Sequence, residues 1–173
     1  MGLDISYCSK IDFESRDIER DESDCYLYNN DMVFGQSDGI KNGSYNTASD
    51  SKHGSFRAGS YSGYNAWRRS LAELIGYDYD HVIESVQRSI RRNDNLNKVL
   101  GESEEAEVRI PFIELLFFSD CEGFIGPETS AKLAKDFADW EEKASKDDFL
   151  YGRYQEWKEA FETASDGGCV VLC

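Results

Sequence analysis

Proline is nearly missing from this chain: Pro111 and Pro127 are the only two in 173 residues. With 40% hydrophobic and 13% aromatic residues beside them, that composition excludes a disordered acidic tail and fits a folded domain. Histidine is just as scarce. His53 and His81 are the only two, and they stand too far apart to supply a paired-histidine ligand set. Cys8, Cys25, Cys121, Cys169 and Cys173 are odd in number and scattered, which argues for reduced thiols and against a disulfide framework. A transition-metal site and a bound cofactor are accordingly not expected. No apolar run reaches 18 residues, the longest being 110–118, and the first residues lack a basic region followed by an apolar one. The expectation is a cytoplasmic protein with no membrane partner. "MGLDIS" matches a myristoylation pattern, yet Leu3, Ile5 and Tyr7 alternate with polar residues as a strand would.

Positive charge is also short, with 19 basic against 34 acidic side chains and a net charge of −15. Nucleic acid is therefore disfavoured as a partner, because binding it requires cations that displace counterions from phosphates. The deficit is uneven. Residues 52–98 carry 8 basic and 5 acidic side chains, whereas the segments on either side are strongly acidic.

The length suits one domain spanning 1–173, able to bury roughly 70% of the surface of its unfolded chain. Alternation predicts a strand over 3–9. Residues 12–24 are charged without a sustained apolar stripe and read as a solvated loop or short surface helix. Residues 25–34 have strand composition, with a turn around 29–31. From Gly35 to Ser55 the chain is so rich in Gly, Ser, Asn and Asp that a long loop is expected. Tyr64, Trp67, Leu71, Leu74 and Ile75 recur at helical steps, capped by Ser60 or Ser62 and stopped by Gly76. A second helix over 80–92 would turn Val82, Ile83, Val86 and Ile90 inward and Arg88, Arg91 and Arg92 outward. The run 110–118 reads equally as a buried strand or a short buried helix. Pro127 opens a helix to about Ser145, "KDD" caps another along Leu150, Tyr154, Trp157, Phe161 and Ala164, and Gly167-Gly168 ends it. "CVVLC" closes as a strand. The fold class is α+β, a small, mostly antiparallel sheet packed with about four helices, including a C-terminal antiparallel helix pair.

"FRAGSYSGYNAWRR", residues 56–69, lies in the only cationic third. A glycine- and serine-rich lead into a helix supplies free backbone N–H groups and a partial positive charge, which suit an anion. Arg57, Ser60, Ser62 and Arg68 are the candidates to hold that anion, and Tyr61, Tyr64 and Asn65 to meet a base or sugar. The segment is no Walker or dinucleotide fingerprint, since its glycines, Gly59 and Gly63, stand four apart and no GKS/T follows. Its bland reading is a capped helix with core aromatics. A second unusual segment, "SDCEGFIGPETS" at 119–130, offers Asp120 and Glu122 to ribose hydroxyls, or reads as a simple capped turn.

The blocks "FRAGSYSGYNAWRR", "FSDCEGFIGPETSAKLAKDFADW" and "WKEAFETASDGG" together resemble a family of small proteins from phages and prophages that share GSYSGYNxW and FSDCEGxIGP-type motifs. The likeness covers 56–76 and 112–168. That family carries no established activity, so the resemblance implies a context and no residue roles: a phage protein in the host cytoplasm that sequesters a nucleotide immune signal, or that meets a host defence protein.

Three functions stay open from the sequence. The first is a non-enzymatic binding protein for an anionic, nucleotide-like or phosphorylated small molecule. The second is an acidic interaction protein that mimics nucleic acid. The third is a hydrolase or transferase built on Asp120, Cys121 or Glu122.

Overall fold

The computed structural model describes residues 2–17, 25–28, 34–92, 109–118 and 123–173. Asp120, Cys121 and Glu122, and the turn expected around 29–31, lie outside these. Seven strands and five helices are formed by the described residues, in an α+β arrangement of two small antiparallel sheets.

The first sheet has the order β5-β1-β7-β6, built from β1 (Gly2–Cys8), β5 (His53–Ser60), β6 (Gly123–Ile125) and β7 (Cys169–Leu172). β7 is paired on both edges and packed on both faces, and the packing of both faces explains why its sequence is a continuous apolar run. Val170 and Leu172 face the main core with Leu3 and Ile5 of β1, while Cys169 and Val171 face the other way with Cys8. The second sheet, β2-β4-β3, comprises β2 (Ile11–Asp17), β3 (Cys25–Leu27) and β4 (Gly43–Thr47). A smaller apolar cluster of Cys8, Ile11, Leu27, Tyr45, Phe124 and Cys169 joins the two sheets.

Two expectations are corrected here. The first part of the charged stretch, 12–17, lies in β2, because Ile11 and Phe13 alternate with Asp12 and Glu14 and turn their side chains toward Tyr45, while 18–24 lie outside the described residues. The expected long loop at 35–55 contains β4 and the start of β5. Sequence hydrophobicity missed β4 because "GSYNT" is polar, although Gly43, Ser44 and Tyr45 are buried between two partner strands.

Helix α1 (Tyr61–Leu74) follows β5 without a break, α2 (Tyr79–Arg92) packs beside it, and α3 (Ile113–Leu116) is a single buried turn. The ambiguous run at 110–118 thus holds a short buried helical turn at 113–116 and no strand. It starts from Phe112 at φ 61, a conformation that costs a bulky side chain energy and that is held here by Asp136 accepting the Phe112 N–H at 2.8 Å. α4 (Pro127–Ala144) and α5 (Asp148–Ala164) form the expected antiparallel pair, with α5 laid across β1, β5 and β7. Asp147 caps α5 by accepting from the N–H groups of Phe149 and Leu150, and Tyr154 on α5 donates to the Phe137 carbonyl of α4 at 2.7 Å. After α5 the chain passes Gly168, where a Cβ would fall 1.8 Å from the Cys8 carbonyl oxygen. Only glycine lets β7 enter the sheet so close to β1.

Candidate functional site

Residues 56–60, the glycine- and serine-containing lead into the helix, form the end of β5. Alternation there is obscured by Gly59 at φ 112 and by a register shift between Leu3 and Asp4 of the partner strand. β5 runs directly into α1, and Ser60 is the N-cap, its hydroxyl accepting from the Gly63 N–H at 3.1 Å. Ser62 lies beside it, with 3.1 Å between the two hydroxyl oxygens.

The expected constellation divides into an outer and an inner group. Arg57, Ser60, Tyr61 and Ser62 are exposed on one edge of the molecule, and Asn65 is half-buried. Tyr64 and Arg68, by contrast, are buried at 0% and 5% exposure and do not face solvent. The Tyr64 ring packs against both Trp67 at 6.3 Å and Trp157 at 5.9 Å, whose own rings are 5.4 Å apart, and its hydroxyl donates to the Phe118 carbonyl at 3.3 Å. Arg68 lies over that ring at 4.6 Å, donates to the carbonyls of Leu116 and Phe118, and is oriented by the Asn65 amide oxygen. Its guanidinium thereby closes the carbonyl end of α3, as cations do at helix C-termini. Both side chains hold the core together. The reason is periodicity: positions 64, 67, 68 and 71 share the inward face of α1.

The structure adds Arg153 to the outer group. From α5 it donates to the Arg57 carbonyl at 2.9 Å, and its terminal nitrogen comes within 3.3 Å of where a Gly59 side chain would begin. Arg57 extends over Gly2, the register partner of Ser60, and forms an ion pair with Asp4 at 3.6 Å in which both side chains are 63% exposed. Solvent screens such a pair heavily. Arg153 lies 96 residues beyond Arg57, and nothing in the local sequence signals the meeting.

Two further clusters of chemical groups stand apart from this edge. Arg109 holds Glu114 through two hydrogen bonds and Asp136 through two more at 2.8 Å. Burial pushes the Asp136 carboxyl above its ordinary range, while the Phe112 N–H and Arg109 pull it back down. Every oxygen of this cluster is engaged in anchoring α3 to α4, a structural arrangement. The second cluster is made of thiols, with Cys8 and Cys25 in contact and Cys169 opposite Cys8. Among the described residues no group of three histidine, cysteine or acidic side chains is arranged to hold a metal ion, and no helix is long and apolar enough to cross a membrane.

No family model, curated protein or solved structure matches this chain.

Proposed function

We propose that the protein binds an anionic small molecule of the phosphorylated or nucleotide class at the exposed junction of β5 and α1. The observation that carries this reading is the approach of Arg57 and Arg153, from two different elements, to the N-terminal end of a helix whose first turn holds no acidic residue. A cation there faces the positive end of the helix dipole, an arrangement that costs roughly 0.3–1 kcal/mol at an exposed site. An anion seated between them reverses the sign of that interaction. Ser60 and Ser62 add hydroxyls, and Tyr61 gives an exposed ring at 37% for a base or sugar to lie against. Tyr64 and Arg68 enter only as the packed support on which the outer residues stand.

The likeness to small phage proteins extends the proposal to capture of a nucleotide immune signal in an infected host. Titration calorimetry with nucleoside mono-, di- and triphosphates and cyclic dinucleotides tests both steps. Binding to at least one of them is expected, weakened about tenfold or more by Arg57→Ala and again by Arg153→Ala, as loss of a charge-assisted hydrogen bond requires. An absence of heat with every phosphate, or equal affinity in the double variant, abandons this reading. Recovery of unaltered nucleotide after incubation separates capture from hydrolysis.

A further inference from the structure

Cysteine is the residue whose placement the anion reading leaves unused. Cys8 ends β1, Cys25 opens β3 and Cys169 opens β7, so three thiols from three strands converge where the two sheets meet. The sulfurs of Cys8 and Cys25 are 3.7 Å apart, in a thiol–thiol hydrogen bond. These two residues belong to different sheets, and no ladder pairs their strands. Cys8 is 4% exposed, and Cys25 is only half-buried, so a small oxidant has an approach to the pair from the Cys25 side.

We propose that Cys8 and Cys25 are a site of reversible oxidation by a hydroperoxide, forming a disulfide that cross-links the helix-backed sheet to the three-stranded one. The Cys8 thiolate attacks the peroxide oxygen, the O–O bond breaks, and Cys8 becomes a sulfenic acid as the leaving oxygen takes the thiol proton. With hydrogen peroxide that first product is water. The Cys25 sulfur then displaces the hydroxyl from Cys8, its own proton completing a second water. Two thiols lose two electrons and two protons, and one peroxide becomes two waters. Closure draws the sulfurs from contact to a bond of about 2 Å.

The order of the partners follows from their surroundings. When Cys8 ionises, the hydrogen bond persists with Cys25 as donor, and this holds the Cys8 thiol below its ordinary value. The same contact and burial push Cys25 up, so it keeps its proton until Cys8 has been oxidised. Cys169, the other neighbour of Cys8, is fully buried and its thiol is pushed well up by that burial. It is the poorer partner on both counts.

Trypsin separates the three thiols, leaving Cys8 in peptide 1–10, Cys25 in 21–41 and Cys169 in 159–173. The purified full chain is treated with hydrogen peroxide, the oxidant removed, and remaining thiols alkylated under denaturing conditions. The expected result is loss of two hydrogens, a crosslink between peptides 1–10 and 21–41, and a thermal midpoint raised by roughly 5–10 °C that dithiothreitol returns to its starting value. Cys25→Ser, at the half-exposed position, should fold and lose both the crosslink and the thermal shift. A link from 1–10 to 159–173, a link to Cys121, oxygen added without a crosslink, or five alkylated cysteines after treatment would each overturn the proposal.

Discussion

Helices α1 and α4 both begin where a strand hands the chain over, yet their N-termini are treated in opposite ways. At α4 the cap residue is Gly126, which brings no side chain, and the missing acceptor arrives from far away: Asp38 accepts from the Glu128 N–H at 2.7 Å, the Thr129 N–H at 3.1 Å and the Thr129 hydroxyl at 2.8 Å. Glu128 puts a second carboxylate in the same turn. At α1 the acceptor is the neutral hydroxyl of Ser60, no acid stands in the first turn, and two arginines lie nearby. One helix end is neutralised by the fold's own carboxylates and serves to pin a loop. At the other no acid stands in the helix's own first turn, and the carboxylate that meets Arg57, Asp4, does so in an exposed, solvent-screened pair, a difference on which the anion-binding proposal rests.

The contrast is broken most strongly at Asp38. Its loop is tied down on both sides, since Gln36 accepts the Gly126 N–H through its carbonyl at 2.7 Å and donates its amide to the Glu114 carbonyl at 3.3 Å. A Cβ at Gly126 would fall 2.5 Å from the Asp38 carboxylate, so a larger residue there would push that carboxylate away from its donors. Asp38→Ala removes the acceptor for three donors at once and should cost about 2 kcal/mol in urea unfolding, the upper end for a helix cap. A cost below roughly 0.5 kcal/mol would show that water replaces the carboxylate and that this end resembles α1 after all.

Asp38 also marks where sequence reasoning reached its limit. The C-terminal helix pair, α1, α2 and β1 were legible because each carries a local signal: apolar steps of three and four, alternation, Pro127 at a start, Gly76 at φ 84 at a stop, although Ile90 of α2, expected inward, is 42% exposed. The polar segment 35–55 carried none, since its work is done by Gln36, Asp38 and buried Ser44 against partners distant in the chain. Within the candidate site, the serine cap was legible from "GSYSG" alone. The division between outer and inner residues was not, although the step from 64 to 67, 68 and 71 already placed Arg68 on the core stripe. A buried arginine is rare enough that charge was read as exposure, and only the carbonyls of Leu116 and Phe118 explain it. Arg153 had no local signature at all.

The smaller effects fall at Ser60, where the two helix ends can be made alike. Ser60→Ala deletes the local cap and should cost about 1 kcal/mol, half the loss expected at Asp38. Ser60→Asp keeps an acceptor for the Gly63 N–H and gives α1 the carboxylate that α4 already has. Stability should then rise by roughly 0.5 kcal/mol, because the new charge opposes the helix dipole and meets Arg57 and Arg153. Affinity for the phosphorylated ligand should fall at least about tenfold in the same variant, since the carboxylate competes with it for both guanidiniums. The two readouts move in opposite directions only if the positive potential at this end is held for a ligand. Should Ser60→Asp gain stability and bind as well as the unmodified protein, the edge between β5 and α1 is merely an uncorrected helix start.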